Sequence, residues 1–201
     1  MAATLRRDRI LAEASELFLT HGLGGVTMRG LASRMKVTPM ALYRHFGNRE
    51  ELLGAIVAEG HATFLRYLNR ALGEDTPARR LLVSGEQYLA FALDHPRSYA
   101  VMFMEHVPEG RSKQGAARWG DAATFRFLVD RIRDCVAAGV LRTGDPETVA
   151  LTIWAHVHGL VSLFLAGKLP LTRAAFAPIY LRSIGTVLGA FGWAAVPEAG
   201  C

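Results

Sequence analysis

The chain has 201 residues, of which 51% are hydrophobic and 20% charged, with a formal net charge of +5 at pH 7. This composition excludes a disordered tail protein, and the length allows a small domain fused to a larger one that buries its own core. The charge is uneven: residues 1–50 contain eight Arg and Lys against four Asp and Glu, whereas residues 51–201 contain fifteen against fourteen. The first quarter is therefore the part expected to face a polyanion.

The cysteine content and the hydropathy of the chain indicate the cellular compartment in which it acts. Cys135 and Cys201 are far apart, with neither a signal peptide nor metal-type spacing, so we expect a reduced cytoplasmic compartment. The most apolar segment, residues 151–167, contains His156 and His158 and ends at a Gly-Lys pair. A membrane span normally needs about 20 apolar residues, so this segment predicts a helix of a globular core and no membrane role.

The first predicted helix follows a basic start. Arg6, Arg7 and Arg9 precede apolar residues at helical spacing, and the pattern stops at His21-Gly22, where glycine favours a helix end. The arginines suit contact with phosphate or a minor groove, and equally a solvated basic helix start. Gly24-Gly25 predicts a turn before Thr27.

Residues 27–46 predict two short helices separated by a tight turn. In the first, apolar residues recur at i, i+3, i+4 and i+7, namely Met28, Leu31, Ala32 and Met35. The second has its own start, with Thr38 as N-cap and Pro39 at the first helical position. Leu42 and Phe46 are expected to anchor it, which leaves its small N-terminal residues and its basic C-terminal residues facing outward. Such a face suits a DNA major groove.

Helical spacing continues to the end of the chain. Asn48 and Glu51 form a capping-box pattern before a long helix whose apolar face runs from Leu52 to Leu72. Further helices are predicted after Thr76-Pro77, over residues 96–105, over residues 116–138, from Asp145-Pro146 to residue 166, and within residues 172–191. Residues 107–115 are the longest predicted loop. Pro178 either kinks the last helix or begins its main part. With no alternating apolar pattern, we expect an all-α protein of about nine helices.

The helix after Pro146 is apolar nearly all round, so it must be covered on both sides. We expect core packing on one face and a partner on the other.

The motif residues resemble a known family. Phe18, Gly22, the Val26-Thr27 entry, the run Leu42-Tyr43-Arg44-His45-Phe46 and the following Asn48 to Leu52 are similar to the helix-turn-helix domain of TetR-type (TetR/AcrR) transcriptional regulators. The stretch from Trp154 to Leu160 resembles the Trp…His-Gly signature of the WHG class of TetR-type C-terminal domains. The resemblance implies a helix-turn-helix domain over 1–48, an effector-binding and dimerisation domain over 49–192, and a disordered tail over 193–201.

The resemblance also implies which residues contact DNA. Thr27 and Arg29 match phosphate-contacting positions, with Lys36 as an addition, and Thr38, Pro39, Met40 and Ala41 match the base-facing start of the recognition helix. Tyr43, His45 and Arg49 match positions that hold the DNA backbone, where Arg49 replaces the more usual lysine. For Arg44, a base contact and simple solvation are both open. For Tyr43 and His45, partial burial against the fourth helix is the alternative.

Aromatic residues of the C-terminal part could line an effector pocket or simply form core. The candidates are Tyr88, Phe91, Met102, Phe103, Trp119, Phe125, Trp154 and His158. His156 and His158 lie about 200° apart around a helix, so they cannot chelate one metal ion from one face. No cofactor or metal is therefore expected.

The sequence thus favours a homodimeric repressor that binds double-stranded operator DNA, dimerises through the last two helices (about 146–191) and is released by a small apolar effector. An all-helical enzyme or metal-dependent protein using His156, His158, His106 or His61 is the alternative, although the chain lacks a serine elbow, a paired histidine motif and a glycine-rich phosphate loop. A third possibility is a dimeric adaptor without DNA binding. Operator, effector, regulated genes and the choice between repression and activation are not encoded in these patterns.

Overall fold

A computed structural model describes residues 6–104, 123–142 and 145–193. Within these ranges the chain forms nine α-helices and one short 3-10 helix over Arg70–Gly73, without a strand, which confirms the all-α prediction. The α-helices are α1 (Arg7–Gly25), α2 (Met28–Met35), α3 (Pro39–Tyr43), α4 (Arg49–Asn69), α5 (Pro77–Asp94), α6 (Pro96–Phe103), α7 (Ala123–Ala137), α8 (Pro146–Leu165) and α9 (Arg173–Ala190).

The chain divides into two compact units. The first unit contains the described residues 6–63 and 95–104, and the second contains 64–94, 123–142 and 145–193. The division between these units therefore falls inside α4, and the functional domain boundary after residue 48 stays a prediction.

The core of the first unit is formed by one side of each of its helices. Ile10 and Phe18 of α1, Leu31 of α2 and Leu52 of α4 are at most 2% exposed, and Val101 of α6 joins them. The apolar positions that the sequence spaced at i, i+3, i+4 and i+7 therefore meet in one cluster.

Side-chain caps stabilise the N-terminal ends of α2, α3 and α4. The Thr27 hydroxyl accepts a hydrogen bond from the Gly30 N–H at 3.0 Å, and the Thr38 hydroxyl accepts one from Ala41 at 3.3 Å. At α4, Asn48 Oδ1 accepts from the Glu51 N–H at 2.7 Å as predicted, but the Glu51 carboxylate binds the Gly47 N–H at 2.8 Å. Each cap satisfies a donor that the first helical turn leaves without a partner.

The end of α1 combines a glycine break with one more turn. Gly22 has φ 70°, so the regular helix stops at the predicted glycine. The chain then winds through a further turn that includes Gly24 and Gly25, closed by a hydrogen bond from the Val26 N–H to the Leu23 carbonyl. Gly24 and Gly25 therefore lie in a last helical turn of α1, whereas the sequence predicted a non-helical turn there.

The second unit packs α5 against α7, α8 and α9. Phe164 of α8 stacks on Phe176 of α9 with ring centroids 4.2 Å apart, and the buried Tyr180 of α9 donates its hydroxyl to the Gly85 carbonyl of α5 at 3.0 Å. Cys135 of α7 is also buried, and burial raises the pKa of its thiol to about 11. This thiol therefore stays protonated at neutral pH.

Several boundaries differ from the sequence prediction. Leu72 is 47% exposed in the 3-10 helix, so the apolar face of the long helix ends earlier, because Ala71 takes the buried position there. Thr172 caps α9, which begins at Arg173, so Pro178 lies inside this helix and does not begin it. The described part of α7 begins at Ala123. The predicted helix segment 116–122, the loop 107–115 and the tail from residue 194 lie outside the described residues.

Helix α8 is apolar beyond what its own unit buries. Its length and composition are those of a helix that could cross a membrane. Within the chain, only 28% of its most apolar 18-residue stretch is buried. Leu151 and Leu163 of α8 are 38% and 46% exposed, and Ile179 and Leu181 of α9 are 38% and 41% exposed. The two helices thus present apolar side chains that the single chain leaves uncovered.

The hydroxyl of Tyr180 tests the packing of α9 on α5. Replacing Tyr180 by Phe keeps the ring and removes the hydrogen bond to Gly85, so we expect the free energy of unfolding to fall by about 1 kcal/mol. Urea unfolding followed by circular dichroism measures it. Tyr67→Phe, which removes a hydroxyl bound to Asp94 on the surface, is the matched control and is expected to cost less. Equal losses of unfolding free energy in the two variants would mean that the buried hydrogen bond stabilises the protein no more than the surface one.

Candidate nucleic-acid interface and effector site

Helix α3 is anchored by one side and exposed on the other. Leu42 and Phe46 are 0% exposed, as the anchoring prediction requires. Met40 and Tyr43 are 65% and 45% exposed. Thr38, Pro39 and Arg44 are also exposed, whereas Ala41 and His45 are partly covered. Of the predicted base-facing residues at the start of this five-residue helix, Thr38, Pro39 and Met40 are thus accessible, and Ala41 is partly so.

The two capping threonines keep a donor for a further partner. Thr27 and Thr38 use an oxygen lone pair as acceptor for a backbone N–H, at 3.0 and 3.3 Å. A hydroxyl has one hydrogen and two lone pairs, so each side chain can donate to a phosphate oxygen while it caps its helix. The cap also fixes the direction in which that hydroxyl points.

The exposed cations of the motif fall into two groups. Arg29, Lys36 and Arg44 are exposed and form no ion pair with the described residues. Arg34 instead donates to Glu13 at 2.8 Å and to Glu16 at 3.0 Å, both on α1, and its hydrogen bond to the Glu13 carboxylate raises its pKa. The first group is available to an external polyanion, while Arg34 joins α2 to α1.

Lys36 has an unusual backbone conformation. It ends α2 with φ 55° and ψ 44°, which is left-handed and rare for a residue with a β-carbon. Its N–H binds carbonyls of the last turn of α2. This geometry makes the tight turn between α2 and α3 and places the lysine on the exposed side of the turn.

Arg49 makes contacts that the sequence did not predict. Its Nε donates to the Val26 carbonyl at 2.6 Å and its Nη2 donates to the Leu23 carbonyl at 2.6 Å. The guanidinium thus ties the first residue of α4 to the turn between α1 and α2. Arginine has five N–H donors, so one amino group remains for a phosphate, and the phosphate contact stays a prediction.

The arginines at the start of the chain also differ from one another. The guanidinium of Arg7 lies 4.4 Å from the centroid of the Phe46 ring, a cation-π contact. Arg6 and Arg9 are exposed. Arg7 therefore covers the buried anchor of α3, a role besides the phosphate contact and solvation that the sequence left open.

The two histidines of α8 make separate contacts. His156 Nε2 lies 2.6 Å from the Ser183 hydroxyl of α9, whereas His158 Nδ1 lies 3.4 Å from the Tyr88 hydroxyl of α5. Burial lowers the pKa of His158, which favours the neutral imidazole. Across the described ranges, no three His, Cys, Asp or Glu side chains are grouped so that they could hold a metal ion.

The candidate effector residues are distributed over both units. In the second unit, Trp154 lies 5.9 Å from His158 and 6.0 Å from Phe125, measured between ring centroids. Tyr88 contacts the same histidine, while the fully buried Phe91 stacks on Phe64 at 4.8 Å. These contacts bring most of the candidates of the second unit together.

Two further candidates belong to the first unit. A β-carbon built on Gly60 would lie 2.8 Å from Met102 Sδ, so α4 and α6 approach closely there, and Phe103 packs edge-on against His61 at 5.9 Å. Trp119 lies outside the described residues. The effector assignment of this whole set remains a prediction.

Two family models match the chain. Residues 10–56 match the model described as bacterial regulatory proteins of the tetR family. Residues 81–185 match the tetracyclin repressor-like C-terminal domain, and this match alone spans more than half of the chain. The chain belongs to the TetR family. The predicted resemblance is thereby confirmed, and the second match includes the stretch from Trp154 to Leu160 on which its C-terminal part was based.

Individual relatives agree with this membership. HTH-type transcriptional regulator Rv1816 of Mycobacterium tuberculosis is 24% identical over 151 residues, which are 69% of this chain and 60% of that protein. The chain therefore spans less than two thirds of that relative. HTH-type transcriptional regulator HbdR of Aromatoleum sp. is 26% identical over 155 residues, 76% of this chain and 67% of HbdR.

A solved structure is similar over nearly the whole chain. The structure of a protein with unknown function from Rhodococcus sp. RHA1 has a TM-score of 0.79 and 26% identity, covering 94% of this chain and 97% of that chain. TetR-family proteins are DNA-binding transcriptional regulators of helix-turn-helix type. Helices α2 and α3 lie within the residues 10–56 that match the tetR-family model.

The structural role of Arg49 can be separated from a phosphate contact. Arg49→Lys keeps the positive charge but cannot donate to both carbonyls in the fork geometry of a guanidinium, so we expect a loss of about 1–2 kcal/mol in unfolding free energy. A residue that only neutralises phosphate would tolerate lysine.

The measurement is urea unfolding of Arg49→Lys beside Arg29→Lys, an exposed arginine of the same motif. We expect Arg29→Lys to leave stability within about 0.5 kcal/mol. If both variants were as stable as the parent, the hydrogen bonds from Arg49 to the Val26 and Leu23 carbonyls would not stabilise the fold.

Proposed function

We propose that this TetR-family chain acts as a homodimeric repressor that binds operator DNA through α2 and α3 and releases it when a small, mostly apolar effector binds. The observation that carries the proposal is the face of α3, where Met40, Tyr43 and Arg44 are exposed while Leu42 and Phe46 are fully buried. A core that holds one side of a short helix rigidly presents the other side to base edges.

Each residue group has a role in this proposal. Thr27, Arg29, Lys36, Tyr43 and Arg49 contact the phosphate backbone, which sets register and supplies most of the salt-dependent affinity. Met40 and Ala41, with Thr38 and Pro39, lie against the bases, where a methionine can contact a thymine methyl group but donates no hydrogen bond. His45 is partly covered, so it reaches the backbone only at the edge of the site.

Arg29 tests the DNA-facing side of the motif. In a dimer–DNA titration, Arg29→Ala is expected to weaken binding to all sequences and to reduce the slope of log K against log salt by about one per protomer. The DNA is the segment immediately upstream of the coding sequence of this protein, and binding is followed by gel retention with competitor and by fluorescence anisotropy over a range of salt concentrations.

Arg133→Ala is the control with the same change in charge. Arg133 is an exposed arginine of α7 in the second unit, paired with Asp130 and Glu147. It is expected to leave the salt slope unchanged. An unchanged slope in Arg29→Ala, or an equal reduction in Arg133→Ala, would refute the assignment of this face.

The exposed apolar side of α8 and α9 supports dimerisation. Leu163 lies seven residues after His156 on α8, and Ile179 lies four residues before Ser183 on α9, so each shares a helix side with one partner of the His156–Ser183 hydrogen bond. TetR-family regulators act as dimers. A second copy of the same surface would cover these side chains and place two α3 helices on one side of the DNA, about 34–36 Å apart or a near multiple of that.

Leu163 tests the dimer surface. Leu163→Glu places a charge among apolar side chains that the partner would bury, so we expect the dimer to dissociate at micromolar concentration, as measured by analytical ultracentrifugation. Leu19→Glu on α1 is the control, because both leucines are 46% exposed in the single chain. A Leu163→Glu dimer as stable as that of Leu19→Glu would exclude this surface.

Effector release requires that the ligand prefer one conformation. A ligand that binds better when α4 has shifted would move the two α3 helices away from the operator spacing, and its differential affinity sets the size of the response. Like other TetR-type regulators, which are soluble cytoplasmic proteins, the chain is proposed to act in the cytoplasm. Specific retention of the upstream DNA, relieved by a bound compound, is the result expected of a ligand-responsive repressor.

A further inference from the structure

Three polar side chains form a chain between α5 and α8 in the second unit. The Tyr88 hydroxyl lies 3.4 Å from His158 Nδ1, and the Ser162 hydroxyl lies 3.4 Å from His158 Nε2. Ser162 follows His158 by one helical turn, so both nitrogens of one imidazole face a hydroxyl. We call Tyr88, His158 and Ser162 the polar triplet.

Aromatic rings from three helices, α4, α7 and α8, lie beside the polar triplet or beside a ring that contacts it. Trp154 of α8 lies 5.9 Å from the His158 ring, and Phe125 of α7 lies 6.0 Å from Trp154. Phe64 of α4 lies edge-on to Tyr88 at 5.4 Å. A few hydrogen-bonding groups among aromatic side chains are the usual composition of a small-molecule site.

The polar triplet is uncharged at neutral pH. The two hydroxyls are neutral, and burial lowers the pKa of His158, so the imidazole is neutral too. Two partly buried arginines of this unit are engaged elsewhere: Arg131 binds Asp134 at 2.9 Å, and Arg80 donates to the Glu74 carbonyl at 2.8 Å. Neither of these two arginines is therefore free to compensate the lost hydration of an anionic ligand beside the triplet.

We propose that the polar triplet is the polar end of the effector site and that it binds an uncharged, mostly apolar molecule through one hydroxyl or carbonyl group. Within the triplet, the imidazole N–H donates to one hydroxyl and the other ring nitrogen accepts from the other hydroxyl. The first hydroxyl therefore keeps its hydrogen to donate to a ligand, and the second keeps lone pairs to accept from one. The aromatic rings take the apolar body of the ligand. This inference rests on the proposed ligand response and specifies its chemistry.

The test uses three probes of similar size with the full-length protein in the absence of DNA. The probes are 4-methylphenol, p-xylene and 4-methylbenzoate, which carry a hydroxyl, a methyl group and a carboxylate on the same ring. Tryptophan fluorescence reports binding, since Trp154 lies 5.9 Å from His158. We expect 4-methylphenol to bind at least about fivefold more tightly than p-xylene, although water solvates it better, and 4-methylbenzoate to bind most weakly.

Variants of the polar triplet should remove the preference without removing binding. Tyr88→Phe and Ser162→Ala are each expected to bring the affinities for 4-methylphenol and p-xylene closer together, while p-xylene affinity stays within about twofold. Tyr67→Phe is the matched control, because it removes a tyrosine hydroxyl of α4 that donates to Asp94 at 3.0 Å. Melting temperatures of all variants report whether they fold.

Three results would overturn the inference. They are equal affinity for 4-methylphenol and p-xylene, tightest binding of 4-methylbenzoate, and no saturable fluorescence change with any probe up to its solubility. The same holds if Tyr67→Phe alters the preference as much as Tyr88→Phe does. Because these measurements contain no DNA, a failure of operator binding would leave them intact, so the two proposals can fail separately.

Discussion

The proposed DNA-facing surface depends on the burial of Leu42 and Phe46. Helix α3 has only five residues, far too few to be stable alone, so its conformation is maintained by these two fully buried side chains and by the Thr38 cap. Arg7 then stacks on Phe46, and Phe46 lies in the core that also contains Phe18 and Leu52. Loss of this contact would leave the exposed side of α3 without a fixed direction.

Much of this fold could be predicted because its decisive interactions are local in sequence. The caps at Thr38, Asn48 and Asp145 act within three residues, and the apolar positions of α2 repeat at helical spacing. The Arg49 contacts were not predictable in this way, since their acceptors are backbone carbonyls 23 and 26 residues earlier that any residue type supplies. An arginine where the family more often has lysine is the available clue, although lysine and arginine carry the same charge and the clue therefore does not point to backbone carbonyls.

In the second unit, too, contacts between residues far apart in the sequence could not be predicted. The sequence shows that α8 is apolar nearly all round, and this pattern predicts a partner on one side of the helix. The exposed side chain of Leu163 supports that prediction. It could not place Pro178, because a proline tolerated within a helix and one that begins it look alike in a pattern. Nor could it bring Tyr88 beside His158, 70 residues apart, since that contact depends on how α5 packs on α8.

The exposure of Met40 has a consequence for how operators can diverge. Its side chain is 65% exposed, whereas the anchors Leu42 and Phe46 are fully buried. Surface substitutions at such positions usually change stability by less than about 0.5 kcal/mol. If Met40 lies against the bases as proposed, related regulators can acquire new operator preferences at this position by single mutations that leave folding intact. Selection for DNA sequence and selection for a stable protein act here on different residues.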